Sequence, residues 1–209
     1  MGDLSQVPTE FLTALSALRK ATCRPELRLE ELPAPSRLAP YAVALGAEVT
    51  TLESPPRPPV HGPAMGDSAQ GGGEELATGR FILLHDPSGS AVWDGTFRIV
   101  TYIRAQLEAD IGNDGMLGSV AWTWLVEALE NHQAPYRNAG GTATRILSES
   151  YGSLADRDDS IDIELRASWT PTGPQVQSHL QAWSQMVCTF AGLPPLPDGV
   201  AALGRRRRK

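Results

Sequence analysis

From Gly95 to Glu108 apolar and polar side chains alternate along the chain. Phe97, Ile99, Thr101, Ile103, Ala105 and Leu107 fall on one side, and Arg98, Val100, Tyr102, Arg104, Gln106 and Glu108 on the other. A period of two is that of a strand with one buried face. Past a turn at Gly112-Asn113-Asp114-Gly115 the period lengthens. Leu117, Val120, Ala121, Trp124, Leu125, Ala128, Leu129 and His132 then share one helical stripe. A long strand running into an amphipathic helix predicts a sheet with a helix laid across it.

The flanking segments extend this pattern. Pro8 suits a first helical residue and Glu10 complements the helix dipole. Val7, Phe11, Ala14, Leu15 and Leu18 therefore predict an N-terminal helix that ends at Arg19 and Lys20. Residues 24–40 hold four prolines and read as an extended connector, docked through Leu27, Leu29 and Leu32. Tyr41 to Leu52 predicts a strand. Residues 53–75, with five prolines, five glycines and little to bury, cannot offset their ordering entropy and predict a disordered loop. Gly79 to His85 predicts the next strand, with Phe81, Leu83 and His85 on one side. Asp86-Pro87-Ser88-Gly89 and Trp93-Asp94-Gly95 predict turns.

Beyond the central helix, Gly140-Gly141 is expected to break the chain. Thr142–Tyr151 and Ile161–Trp169 are then expected to pair antiparallel. Ile161, Ile163, Leu165, Ala167 and Trp169 face in, and Asp162, Glu164, Arg166 and Ser168 face out. Thr172 and Gln175 form a capping box, with Pro174 in the first turn of a last helix whose stripe is Val176, Leu180, Trp183, Val187 and Phe190. Gly192 and Pro194 stop it. The expected order, α-β-β-β-α-β-β-α, is an α+β fold: a single antiparallel sheet of about five strands with three helices. The 53–75 loop joins its first and second strands. Residues 1–204 form one domain, and residues 205–209 a basic tail.

Composition narrows the function classes. A length of 209 residues supports one sizeable domain, and 41% hydrophobic with 20% charged residues is ordinary globular composition. No apolar run is long enough for a membrane-spanning helix, and Met1–Gln6 has neither the basic flank nor the apolar core of a secretory signal. Cys23 and Cys188 are the two cysteines, far apart in sequence, and fit a reducing cytoplasm. The net charge is −6. The five cations Arg205, Arg206, Arg207, Arg208 and Lys209 make the preceding chain more acidic than that figure suggests. An acidic body repels nucleic acid, whereas a basic tail adds sequence-independent attraction to phosphates.

The candidate chemistry is sparse. His85 beside Asp86, with Asp94 nearby in sequence, is the one constellation resembling a base with an orienting carboxylate, although adjacent strand residues point to opposite faces. His132 and His179 sit at helix positions, and His61 lies in the predicted loop. Asp156, Asp158, Asp159, Asp162 and Glu164 superficially resemble a calcium loop, but Ile161 replaces its central glycine. No phosphate-binding glycine motif, nucleophile elbow or histidine metal pair is present. No cofactor or metal is expected. Trp122 and Trp124 cannot both face one core, which makes Trp122 a candidate for burial in a partner or a dimer interface. Tyr102 and Arg104, on the outward side of the central strand, complete the candidate partner-binding set.

Gly79-Arg80-Phe81, Leu84-His85-Asp86-Pro87, Trp93-Asp94-Gly95-Thr96-Phe97-Arg98, Trp122-Thr123-Trp124-Leu125, Ala167-Ser168-Trp169-Thr170-Pro171 and Ala191-Gly192-Leu193-Pro194-Pro195-Leu196-Pro197 resemble an actinobacterial family of unknown function, about 200 residues long. The resemblance implies a cytoplasmic protein and assigns no catalytic residue. In element order the chain is also similar to type III secretion chaperones, which are dimers that bind extended polypeptides and have no catalytic centre. The function expected on these grounds is a non-enzymatic protein-interaction module, adaptor or chaperone-like, and a homodimer. The alternatives are a nucleic-acid accessory protein using the 205–209 tail and a small enzyme around His85, Asp86 and Asp94.

Overall fold

The alternation seen along the chain becomes a two-sided sheet in the computed structural model, which describes residues 7–50, 75–107 and 114–193. The elements run α1 (Thr9–Arg19), β1 (Leu27–Leu32), β2 (Tyr41–Thr50), β3 (Glu75–Ser90), β4 (Gly95–Leu107), α2 (Leu117–Asn131), β5 (Tyr136–Ser148), β6 (Ser160–Pro171) and α3 (Gln177–Phe190), with a short 3-10 turn at Gly152–Leu154. All six strands form one antiparallel sheet in the order β1-β2-β3-β4-β6-β5. Away from the bulges, such as that between Arg137 and Gly140, the strands place odd-numbered residues on one face and even-numbered residues on the other.

The odd face is the core. Val49, Ala77, Phe81, Leu83, Phe97, Ile99, Ile103, Ile163, Leu165 and Trp169 are buried there beneath the helices. α3 lies over the middle of the sheet and buries Val176, Leu180, Trp183, Val187 and Phe190, the stripe its sequence predicts. Trp183 reaches the sheet at Gly79, where a β-carbon would come within 2.7 Å of the indole, so the glycine is required by close approach. α2 packs beside α3, with the Trp124 ring edge-on to Phe190 at 5.6 Å, and α1 contributes Phe11, Ala14, Ala17 and Leu18.

Four sequence expectations are corrected. The sheet has six strands, because the segment read as a docked connector contains β1, which pairs Leu27–Leu32 with Ala44–Val49 of β2. Leu27 and Leu29 serve the core face of this edge strand, so its alternation is that of a true strand. The strand expected from Gly79 begins at Glu75 and continues through Asp86-Pro87 as an irregular hairpin arm. The Asp86 carboxylate accepts from the Ser88 amide at 2.9 Å, and Gly89 adopts φ +75°. Gly140 and Gly141 lie inside β5 and do not break the chain. Gly141 faces the helix layer, where a β-carbon would meet the Arg166 carbonyl oxygen at 2.5 Å and the Trp122 ring at 3.0 Å. The capping box does not form either: α3 starts at Gln177 after Val176, with no side-chain cap. Most of the loop expected over 53–75 lies outside the described residues, as do His61 and the 205–209 tail.

Gly141→Ala should therefore separate packing from propensity. Alanine favours a strand interior more than glycine does, yet here the added methyl would push β5 from β6 and lift Trp122. We expect a loss of about 2 kcal/mol in urea unfolding followed by circular dichroism. A neutral or stabilising result would contradict the packing of Trp122 on Gly141.

Candidate functional site

No helix among the described residues covers the even face of the sheet. Cross-strand register arranges its side chains in rows. One row runs Glu30, Gly46, Arg80, Tyr102, Arg166 and Thr142; the next runs Arg28, Glu48, Thr78, Arg104, Glu164 and Thr144. A third places Leu32, Ala44, Ile82, Val100 and Ser168 side by side. Between these rows lies a hollow of about 710 Å³. Gly46 forms part of its floor. The Leu32 and Glu30 side chains lean over this glycine, so that a β-carbon there would meet Leu32 at 3.0 Å. Leu32, Ile82 and Val100 make the apolar end; Arg28, Glu30, Glu48 and Arg80 charge the β1–β3 flank, and Tyr102 and Arg166 line the β4–β6 flank.

The two flanks differ in how their charges are held. On the β4–β6 side the groups are tied together. The Tyr102 hydroxyl donates to Glu164 at 2.8 Å, Arg166 bonds the same carboxylate at 3.2 Å and lies 5.4 Å from the Tyr102 ring centre, and Arg104 pairs with Asp162 at 2.7 Å. The hydrogen bond from Tyr102 holds the Glu164 carboxyl below its usual range, and desolvation followed by that same bond pushes the Tyr102 phenol up. On the other flank, Arg28, Glu30, Glu48 and Arg80 make no ion pair among the described residues, although Arg28 stands directly opposite Glu48. The hollow is thus bordered by charges of both signs that make no ion pair among the described residues.

Of the candidates read from sequence, Tyr102 and Arg104 do sit on this face. Trp122 projects from the other side of the sheet, half-buried across Gly141. His85, Asp86 and Asp94 are not brought together. His85 is wholly buried on the core face, its ring stacked on Phe97 at 4.2 Å and its Nδ1 3.1 Å from the Thr96 carbonyl oxygen. Asp86 holds its own turn, and Asp94 is exposed in the β3–β4 hairpin, paired with Arg137 at 3.2 Å. Acid–base catalysis needs such groups within hydrogen-bond reach of one another or of a substrate. The acidic cluster also divides: Asp156, Asp158 and Asp159 are exposed ahead of β6, whereas Asp162 and Glu164 serve the arginine network. Burial raises the Cys188 thiol to about 11 and the Cys23 thiol above its ordinary value, which suits packing groups and not nucleophiles.

Sequence reasoning missed Arg28, Glu30, Gly46, Glu48 and Arg80. Their alternation with buried neighbours was visible, but their assembly around one hollow required the registers of β1, β2 and β3.

Over residues 7–201 the chain matches the family described as protein of unknown function, DUF3000. The chain belongs to that family. No curated protein and no solved structure matches it. In this DUF3000 protein no helix among the described residues is long and apolar enough to cross a membrane. Several stretches behind the sequence resemblance meet at the hairpin end of the sheet. Arg98 donates to Ser168 and Asn138 at 2.7 Å and to Thr170 at 3.0 Å, Thr170 donates to the Trp93 carbonyl, and Asn138 donates to the Val92 carbonyl at 3.0 Å. Desolvation lowers the Arg98 pKa. Asp94 and Asn138 hold positive φ in this network, which fastens the hairpin to the bulge in β5.

Proposed function

We propose that this DUF3000 protein is a non-enzymatic interaction module that takes an extended polypeptide segment across the even face of its sheet. The observation that carries the reading is the hollow over Gly46, open to solvent and flanked by Arg28, Glu30, Glu48 and Arg80, which make no ion pair among the described residues. Surface charges are easily left to solvent. Four of them around a concave, partly apolar site nonetheless offer what a segment bearing both signs of charge requires: complementary partners at the walls and an apolar strip for its side chains. The ordered Tyr102–Glu164–Arg166 group supplies a rigid aromatic wall that loses little conformational entropy on binding. The separation of His85, Asp86 and Asp94 supports a binding role over catalysis.

The test is affinity purification from the native host with wild type and Arg80→Glu, each with and without nuclease treatment. A discrete protein retained by wild type after nuclease and lost from the Arg80→Glu variant supports this reading. Equal capture by both forms would reject the hollow, and partners lost on nuclease treatment would favour the 205–209 tail and nucleic acid instead.

A further inference from the structure

The two edges of the sheet are built differently. β1 is short, carries Arg28, Glu30 and Glu31, and is followed by Pro33 and Pro35. Charge, brevity and proline are the usual protection of an edge against another strand. β5 is guarded less, by Pro135 just before it, two arginines and a bulge between Arg137 and Gly140. It is 13 residues long, contains no proline or lysine, and is exposed along almost its whole length. Its only charged residues are Arg137 and Arg145, and both are drawn back onto their own chain: Arg137 onto Asp94, and Arg145 onto the Asp114 carbonyl oxygen at 3.1 Å. What remains facing outward, Thr142-Ala143-Thr144 and Ile146-Leu147-Ser148, is uncharged and favours extended structure. Leu147 is 57% exposed on this strand, and Trp122 lies half-buried over Gly141 in the helix layer immediately above it.

We propose that β5 pairs antiparallel with β5 of a second copy of this chain, joining two six-stranded sheets into one. A strand meeting its own copy across a two-fold axis is self-complementary, because every donor and acceptor offered by one edge is answered by the same edge reversed. A foreign strand would have to be selected by side chains, and this edge presents no charge pattern with which to select one. A register centred on Ala143 sets Thr142 against Thr144 of the second copy, a favourable cross-strand pair, and sets Arg145 against the second copy's Gly141 instead of a like charge. With odd residues opposite odd, both helix layers lie on the same side. The two α2 helices then flank the junction and cover the half-buried Trp122 rings, while the two hollows share one continuous open face. This pairing is independent of what the hollow binds.

Sedimentation equilibrium of the full chain, combined with hydrogen–deuterium exchange resolved to single amides, tests it. Wild type should associate as a dimer in the micromolar range. Alternate amides of β5, those not bonded to β6, should gain protection as protein concentration rises. Thr144→Lys adds a charge to the edge beside Glu164, which it suits within its own chain, and should weaken association roughly tenfold or more. Trp122→Ala should weaken it as well, whereas Arg80→Glu, far from this edge, should leave it unchanged. A wild type that stays monomeric at all concentrations overturns the proposal. A dimer indifferent to Thr144→Lys, with alternate β5 amides still exchanging freely, overturns it equally.

Discussion

Replacing Trp183 with alanine should cost the fold about 4 kcal/mol, the largest loss expected from any single substitution in the core. The side chain is fully buried on α3, tilted against Phe81 at 5.5 Å and seated on Gly79. It is a main contact through which α3 grips the central strands, and its removal leaves a cavity that the flat floor at Gly79 cannot fill. Phe81 is itself fully buried, and Val187 is branched and packed on the same glycine, so neither can collapse far inward. Urea unfolding monitored by circular dichroism should show a lower midpoint with an unchanged slope. The reverse experiment, Gly79→Val, crowds the same contact from below and should also destabilise, by about 2 kcal/mol. A loss below about 1 kcal/mol for Trp183→Ala would mean that α3 is not anchored where the structure places it.

The second large effect is a dependence of stability on pH that runs through His179. This residue is buried on α3, and its Nδ1 accepts a 3.1 Å hydrogen bond from the Trp169 indole, which places the imidazole proton on Nε2. Desolvation lowers its pKa from 6.5 to about 4. In the unfolded chain the imidazole takes a proton near pH 6.5, whereas the folded protein resists until about pH 4. Above pH 6.5 the group is neutral in both states and stability is fully present. As pH falls below that value the unfolded state gains the proton first, and stability declines until the folded state also protonates near pH 4. The whole loss is about 3 kcal/mol. His179→Gln keeps an acceptor for Trp169 and removes the titration, so the variant should show a flatter profile between pH 6.5 and pH 4 than wild type. His132, also lowered by burial, remains in both proteins and cancels in the comparison. Parallel profiles for the two proteins would reject the assignment.

Local pattern determined a large share of this architecture. The alternation over Gly95–Leu107 and Ser160–Pro171 fixed both strands and the face each side chain takes, because a period of two admits only one buried set. The stripes of α1, α2 and α3 marked most of the buried helix positions, although Val7 and Val120, read as part of them, are exposed, and the order of elements gave the α+β class. Where sequence reasoning failed, a distant residue was the cause. Gly140-Gly141 reads as a break until Trp122 is placed above Gly141 and the Arg166 carbonyl behind it. The leucines of β1 read as a connector until β2 is there to pair with them, and the 172–175 cap is overridden by a turn that delays α3 to Gln177.

The candidate sites divide along the same line. That Tyr102 and Arg104 point away from the core, and that Trp122 is at odds with a simple helix stripe, followed from periodicity alone. That His85 is sealed behind Phe97, that Arg80 and Glu30 stand across Gly46, and that β5 lies at a sheet edge were decided only by tertiary structure. Periodicity assigns each residue to a face from its immediate neighbours in sequence. Strand order and register assign it a neighbour in space, and here those are set by which surfaces α1, α2 and α3 cover together, a property of the whole chain that no single stretch carries.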